Sequence, residues 1–343
     1  MAPTLGEGAS MTKPARWALG YFSNEEGAFT GLVVADKIRD LRQDAARLQG
    51  VDPAAASGPR TLLEHWGSAF PILDELASDE QGTWLAVDAV TVHAPIEPGQ
   101  ILQAGANYRT HVIDLAVTHA DLTKTTEEQV RLEAAAMMDK RKAEGIPYFF
   151  IGLPSAITGP YDTVTLPAYS QKHDWELELA AVIGTSAFHV TPAEALEHVA
   201  AYVIVNDLTT RDLVFRRDMP EIGSDWFRAK NAPGFLPVGP WLVPAQFVGD
   251  PQKLHLDLKL NGEIKQDAES SDMLFSVAEL VSAASQTVVL NPGDLILTGS
   301  PAGNGAHWGR LLRDGDVMES TIDGLGVQRT AVVAESPAGA ANE

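Results

Sequence analysis

The chain has 343 residues, 45% hydrophobic and 21% charged, the balance of a globular protein large enough for one big domain or two ordinary ones. Its 25 Lys and Arg against 46 Asp and Glu leave a formal charge of −21, which disfavours nucleic acid, whose binding rests on cationic neutralisation of phosphates. Cysteine is absent, which excludes disulfides, thiolate catalysis and zinc–sulfur sites, and no run approaches the roughly 18 apolar residues of a membrane span.

Residues 1–13, MAPTLGEGASMTK, have no apolar stretch behind a basic start. They read as a disordered leader, with Met11 as a second candidate start and the cytoplasm as the expected compartment. Residues 14–97 read as a small N-terminal α+β domain. Strands are expected over 17–22 and 31–36 around the turn-rich SNEEGAF, then helices over 41–48, 61–66 and 71–76. HAPIEPGQ (93–100), with two prolines and a glycine, marks the boundary to a second domain over 98–335.

That domain opens with ILQAGANYRTHVIDL, a short strand running into a helix. The spacing predicts the clearest helix over 125–143, capped by Thr125 or Thr126, with acids in its first turn, Lys140, Arg141 and Lys142 in its last, and Gly145 and Pro147 beyond its end. From Phe149 onward strand signals dominate. WELELAAVIG alternates at period two, HLDLKLNGEIKQ carries the hairpin dipeptide Asn261–Gly262, and TIDGLGVQRTAVV turns at Asp323–Gly324. Helices are expected over 191–198, where Thr191, Pro192 and Glu194 form a capping signature, and over 274–285. The pattern is α+β and mainly β, not a doubly wound α/β fold. The final SPAGAANE reads as a frayed tail.

Several residues could carry chemistry. Glu176 and Glu178 project from one face of an alternating strand, about 6.6 Å apart, while Trp175, Leu177 and Leu179 face the other way. The same alternation describes the solvent face of an antiparallel strand. Asp207 follows the apolar run AYVIV at a strand end, a position that suits both sites and turns. Three carboxylates without His or Cys would make a hard-ligand site for Mg²⁺ or Mn²⁺, or for Ca²⁺. His111 and Asp114 are three apart on a helix, so they share a face, either as an oriented base or as ordinary helix decoration. LTGSPAGNG (297–305) could cradle an anion but lacks the phosphate-loop Gly-Lys-Ser/Thr. No HExxH, Rossmann glycine fingerprint or GxSxG elbow is present.

Taken in order, GANYRTH, PSAITGPYDTVTLP, DWELELAAVIG, VNDLTTRD, AKNAPGFLPVGPWLV, LKLNGEIKQ and LNPGDLILTGSPAG resemble the fumarylacetoacetate hydrolase family from about Ile101 to Val333. The resemblance implies a mixed β-sandwich-like roll with a smaller N-terminal domain, usually a homodimer acting on a small molecule. It implies metal carboxylates at Glu176, Glu178 and Asp207, a base at His111 partnered by Asp114, and Lys230 stabilising developing negative charge. Tyr108, Arg211, Thr298, Gly299 and Ser300 fall on substrate-binding segments. The chain departs from the family pattern at four positions. Asp114 is one methylene shorter than the usual glutamate, Val214 stands for glutamine, Gly152 for lysine, and TGSP for TGTP. Val214 and Gly152 are expected to leave a pocket suited to a bulkier or less acidic substrate, and the 125–142 helix to form an enlarged lid from which Lys140 or Arg141 could reach in.

The implied activity is hydrolysis of a carbon–carbon bond in a β-dicarbonyl such as an acylpyruvate. In it the cation polarises the oxygens, His111 activates water, and the enolate charge is balanced by the cation and Lys230. Decarboxylation, hydration or keto–enol isomerisation of a 2-oxo acid would use the same residues. Loss of polar groups at 152 and 214 would also fit a binding protein without catalysis.

Overall fold

The computed structural model describes residues 16–336 except 53, 55 and 57, so the expected leader and tail lie outside the described residues, apart from Ser336. The first hairpin forms as its residues dictate. Ala18–Asn24 pairs antiparallel with Gly27–Val34 in the register Ala18↔Val33 to Asn24↔Gly27, and Gly27 takes the turn at φ 112°. The turn is tighter than SNEEGAF suggests because the second strand begins at Gly27 instead of Gly31. Lys37–Asp40, Trp84–Ala86 and Thr91–His93 complete a five-stranded antiparallel sheet. The expected helix over 71–76 is longer, Trp66–Ala77, because Pro71 is accommodated within it.

The sheet that carries the site has six strands in the order Val243–Pro244, Val199–Asn206, Leu177–Ile183, Leu295–Leu297, Ile101–Gly105, Tyr148–Gly152. Only the pairing of Leu295–Leu297 with Ile101–Gly105 is parallel. A further five-stranded sheet contains the 255–260/263–269 hairpin, turned at Asn261 and Gly262 with positive φ, and the 317–322/326–334 hairpin. The fold is α+β with strand predominating in the second half of the chain.

Leu177–Ile183 is buried on both faces. Leu177, Leu179, Ala181 and Ile183 enter one apolar cluster with Trp175 and Trp241; Ala180 and Val182 enter another with Trp17, Leu19 and Val203. Glu176 and Glu178 therefore continue the Ala180/Val182 face into the interior, and the solvent-face reading of this strand does not hold. The N-terminal sheet contributes to both clusters and meets the larger part of the chain through a Leu19↔Leu242 bridge.

The long helix runs Glu127–Glu144, with Thr126 accepting from Gln129 N at 3.2 Å and Gly145 ending it. It packs on the helix Arg109–His119 and is tied down by Lys142–Glu279 (2.6 Å), Arg109–Asp139 (3.1 Å) and Arg131–Asp114 (2.8 Å). Arg141 donates to the carbonyls of Ala106 and Gly105, and Lys140 faces solvent near Glu144, so Arg141 is committed to the backbone and Lys140 to the surface. The expected 191–198 helix is reduced to a 3₁₀ turn, Ala195–His198. Thr191 still bonds Glu194 as a cap, but the buried strand starts at Val199 and leaves no room for further turns. No helix among the described residues is long and apolar enough to cross a membrane.

The helix Val277–Ser285 starts at Ser276, whose hydroxyl accepts from Glu279 N while Glu279 accepts from Ser276 N, a closed capping box. Ser276→Ala is expected to cost about 1 kcal/mol, read as a lower urea midpoint at unchanged slope; an unchanged midpoint would mean the box contributes nothing.

Candidate metal centre and active site

Two paired strands build the centre. Asn206 ends Val199–Asn206 opposite Leu177, and its Oδ1 accepts from Glu176 N at 2.9 Å. Asp207 N in turn donates to Glu176 O at 2.9 Å, so backbone bonds lock the two acidic segments together at the strand ends. Glu176, Glu178 and Asp207 are all buried, and each offers an oxygen within 4.8 Å of the others.

The surrounding bonds aim these oxygens. Gly299 N donates to Glu178 Oε2 at 2.7 Å. Gly299 has φ +90°, and a Cβ there would meet Asn107 Cβ at 3.0 Å and Ala104 O at 3.2 Å, so glycine is required for the approach. Arg211 bridges Asp174 Oδ2 and Glu176 Oε1, each at 2.7 Å. Lys230, 2% exposed, lies 2.5 Å from Glu176 Oε2 and 2.7 Å from both Asp207 O and Asp207 Oδ2. Two of its three ammonium hydrogens are thus committed to Glu176 Oε2 and Asp207 O, and the approach to Asp207 Oδ2 is an ion pair without a hydrogen bond. Gln103 Nε2 donates to Asp207 Oδ1 at 2.7 Å, while Asp207 Oδ2 accepts no hydrogen bond.

Charge explains why such a cluster calls for an ion. Asp174, Glu176, Glu178 and Asp207 are four buried acids, and the cations paired with them are Lys230 and Arg211, so with all four acids ionised 4 − 2 would leave two negative charges uncompensated. Burial raises the Glu178 pKa well above the usual range, and the neighbouring Asp207 adds to that. Burial also lifts Asp207 to about 6 against the pull of Lys230. Glu176 goes the other way: burial opposes its charge, but Lys230 and Arg211 hold it at about 2. A divalent cation would cancel the shortfall, and the unbonded Asp207 Oδ2 with the all-carboxylate donor set fits a hard ion.

His111 lies on the helix Arg109–His119 and is nearly buried, and burial depresses its pKa to about 4, so the imidazole is neutral at neutral pH. Glu176 is the strongest charge acting on it. The expected His111–Asp114 hydrogen bond is not formed. Asp114 instead accepts from Arg131 Nη1 at 2.8 Å, because the long helix brings a guanidinium to it and the short aspartate side chain follows that charge. His307, which sequence reasoning missed, stands 3.9 Å from Asp114 Oδ2 and also acts on His111.

The other candidate residues are placed as follows. Thr298 Oγ1 donates to Leu179 O at 2.9 Å and Ser300 Oγ accepts from Gln266 at 2.9 Å, while Gly299 N, between them, donates to Glu178. Tyr108 is fully buried, its pKa raised by burial and by Glu178. Val214 is buried in the turn after Arg211. Gly152 does not widen a pocket: a Cβ there would lie 2.8 Å from Gln103 Oε1, which fills the space. Phe150 stacks on Trp226 at 4.7 Å, and Lys230 lies 5.7 Å from the Phe150 ring, forming an aromatic wall beside the centre. Asp174, which accepts from Arg211 and from Gly305 and Ala306 N, was visible in DWELEL, but its role depends on a loop 131 residues away.

Residues 100–333 match the C-terminal domain model of fumarylacetoacetate hydrolase, and the chain belongs to the fumarylacetoacetate hydrolase family. It is 38% identical over 237 residues to a 2,4-didehydro-3-deoxy-L-rhamnonate hydrolase of Sphingomonas sp. (strain SKA58), covering 68% of this chain and 73% of the relative. It is 32% identical over 312 residues to an oxaloacetate tautomerase of Bacillus subtilis (strain 168), covering 87% of this chain and 94% of the relative. The fold superimposes with a TM-score of 0.70 on a maleylpyruvate hydrolase from Sphingobium sp. SYK-6 in complex with manganese(II) and pyruvate, at 26% identity, covering 93% of this chain and all of the other.

Adding Mg²⁺ or Mn²⁺ to chelated protein is expected to stabilise it by about 2.7 kcal/mol at an ion concentration of about 100 Kd. Protons on Glu178 and Asp207 compete with the ion, so affinity weakens as pH falls through about 6, and protons are released on binding at that pH. Calorimetry in buffers of different ionisation enthalpy measures both, and stability indifferent to the ion at neutral pH would contradict the charge shortfall.

Proposed function

We propose that the protein is a Mg²⁺- or Mn²⁺-dependent hydrolase that cleaves a carbon–carbon bond in a β-dicarbonyl 2-oxo acid. The observation that carries this reading is the buried triad Glu176, Glu178 and Asp207, which with Asp174 outnumbers the paired cations Lys230 and Arg211, with the neutral His111 under the field of Glu176. When bound, the ion supplies a Lewis acid for the substrate's keto oxygens.

The residues of the chain supply the rest. His111, unprotonated at neutral pH, takes a proton from water as the water oxygen bonds to the carbonyl carbon distal to the 2-oxo acid. The bond from that carbon to the central carbon then breaks, and its electron pair stays with the 2-oxo acid fragment. His111 returns the proton to the central carbon, giving a carboxylic acid and a methyl 2-oxo acid with every atom of water accounted for. Lys230 contributes its charge and the placement of Glu176 and Asp207, to which two of its hydrogens are committed. Arg211 holds Glu176 from the opposite side. Phe150 and Trp226 favour a substrate with an apolar or aromatic arm. The hydrolase relatives and the manganese–pyruvate complex of the maleylpyruvate hydrolase support this chemistry.

A second reading, keto–enol tautomerisation of a 2-oxo acid, is favoured by one feature. Asp114 is held by Arg131, so no carboxylate is bonded to His111 to steady it as an imidazolium, and a lone base suffices to move a proton between carbon and oxygen. The oxaloacetate tautomerase relative agrees with it.

Mass spectrometry of acylpyruvate, aryl β-diketo acid and oxaloacetate reactions separates the two. The first reading expects paired carboxylic and 2-oxo acid fragments; loss of enol absorbance with no fragment would replace it by the second. In either case His111→Ala is expected to lower kcat roughly 10²- to 10⁴-fold with metal affinity retained. A variant near the wild-type rate would move the base elsewhere.

A further inference from the structure

Gln103 is the third residue of the strand Ile101–Gly105 and is 2% exposed. Its amide is half used. Nε2 donates to Asp207 Oδ1 at 2.7 Å, while Oε1 is buried and has no hydrogen-bond partner. The unpaired oxygen faces the neighbouring strand at Gly152, where a built Cβ would come within 2.8 Å of Oε1 and 3.1 Å of Cδ. The register pairs Gln103 with Phe150 and Ile101 with Gly152, so the amide leans over the glycine along the edge of the sheet.

We infer that Gln103 is a positioning residue for the metal centre and that Gly152 is there to make room for it. By holding Asp207 Oδ1, the amide leaves Oδ2, which accepts no hydrogen bond, as the oxygen available to an ion, and it does so as a neutral donor. A cation in the same place would bring three positive charges against the four acids and remove half of the demand for a divalent ion. A neutral amide fixes the ligand and leaves that demand whole. A burial-only role would not require an orphaned carbonyl, and shape alone would be met by an apolar side chain of the same length. Any side chain at 152 would push the amide aside, because it is the flexible end of a long side chain, and the Asp207 bond would go with it.

The inference rests on the metal-centre reading, and a double-mutant cycle on the full chain separates the two. The probe is Mn²⁺ itself, with Kd measured by electron paramagnetic resonance titration and the unfolding midpoint of the chelated protein recorded alongside. Gln103→Met, which keeps length and removes the donor, is expected to weaken Mn²⁺ binding roughly 10- to 100-fold with an altered bound-Mn²⁺ spectrum. Gly152→Ala is expected to weaken it to a similar degree in the presence of Gln103, and to have no further effect on Kd in the Gln103→Ala background. Strain against Ile101 Cγ2, 2.9 Å from the same built Cβ, would lower the unfolding midpoint equally in both backgrounds and so does not mimic the coupling. Wild-type affinity in Gln103→Met, or equal losses from Gly152→Ala with and without Gln103, would overturn the inference while leaving the metal centre standing. A wild-type protein that binds no Mn²⁺ would overturn both.

Discussion

Asp174, Glu176, Glu178 and Asp207 are withdrawn from water at the ends of two paired strands, and Lys230 and Arg211 are the cations withdrawn with them. Removing like charges from water is among the costliest arrangements a fold can hold, and it is relieved by protons, by cationic partners or by an ion. The raised pKa values of Glu178 and Asp207 are the first form of relief, Lys230 and Arg211 the second, and a divalent cation the third. Much of the neighbouring structure answers to this constraint: the N–H of Gly299 on Glu178, the bridge of Arg211 between Asp174 and Glu176, and the amide of Gln103 on Asp207.

The rigidity needed for this comes from the sheet. Leu177–Ile183 is a central strand with apolar clusters on both faces, so Glu178 cannot move without disturbing its packed neighbours. Asp207 is tied to the same unit by its backbone bond to Glu176 and by Asn206. His111 is placed differently. It sits on a helix held by surface ion pairs, Arg109–Asp139 and Arg131–Asp114, which are individually weak. The acidic cluster is therefore anchored in a central strand, and the base is carried by a helix outside that sheet.

The parts of this design that were legible in the sequence are those written in local pattern or in ordered motifs. The Asn261–Gly262 hairpin and the capped helix ending at Gly145 follow from turn and cap chemistry. The three clustered carboxylates were legible from the order of family motifs, not from spacing, since Glu-x-Glu alone reads equally as a solvent face. Pairwise choices made in three dimensions were not legible. Asp114 could be placed near His111 by helix periodicity, but nothing local announces that Arg131, 17 residues on, takes it. Gly152 suggests an empty pocket until Gln103, 49 residues earlier, is seen in that space. The 191–198 segment has a sound cap and no helix beyond one turn, because a buried strand claims the chain at Val199.

A crystal of the protein grown with Mn²⁺ and measured at the manganese absorption edge tests the central claim most directly. The account predicts one anomalous peak per chain bounded by carboxylate oxygens of Glu176, Glu178 and Asp207, with Asp207 Oδ1 still on Gln103 and Oδ2 turned to the peak. No peak there, with Lys230 still spanning Glu176 and Asp207, would mean that the buried charge is balanced without an ion and would contradict the account.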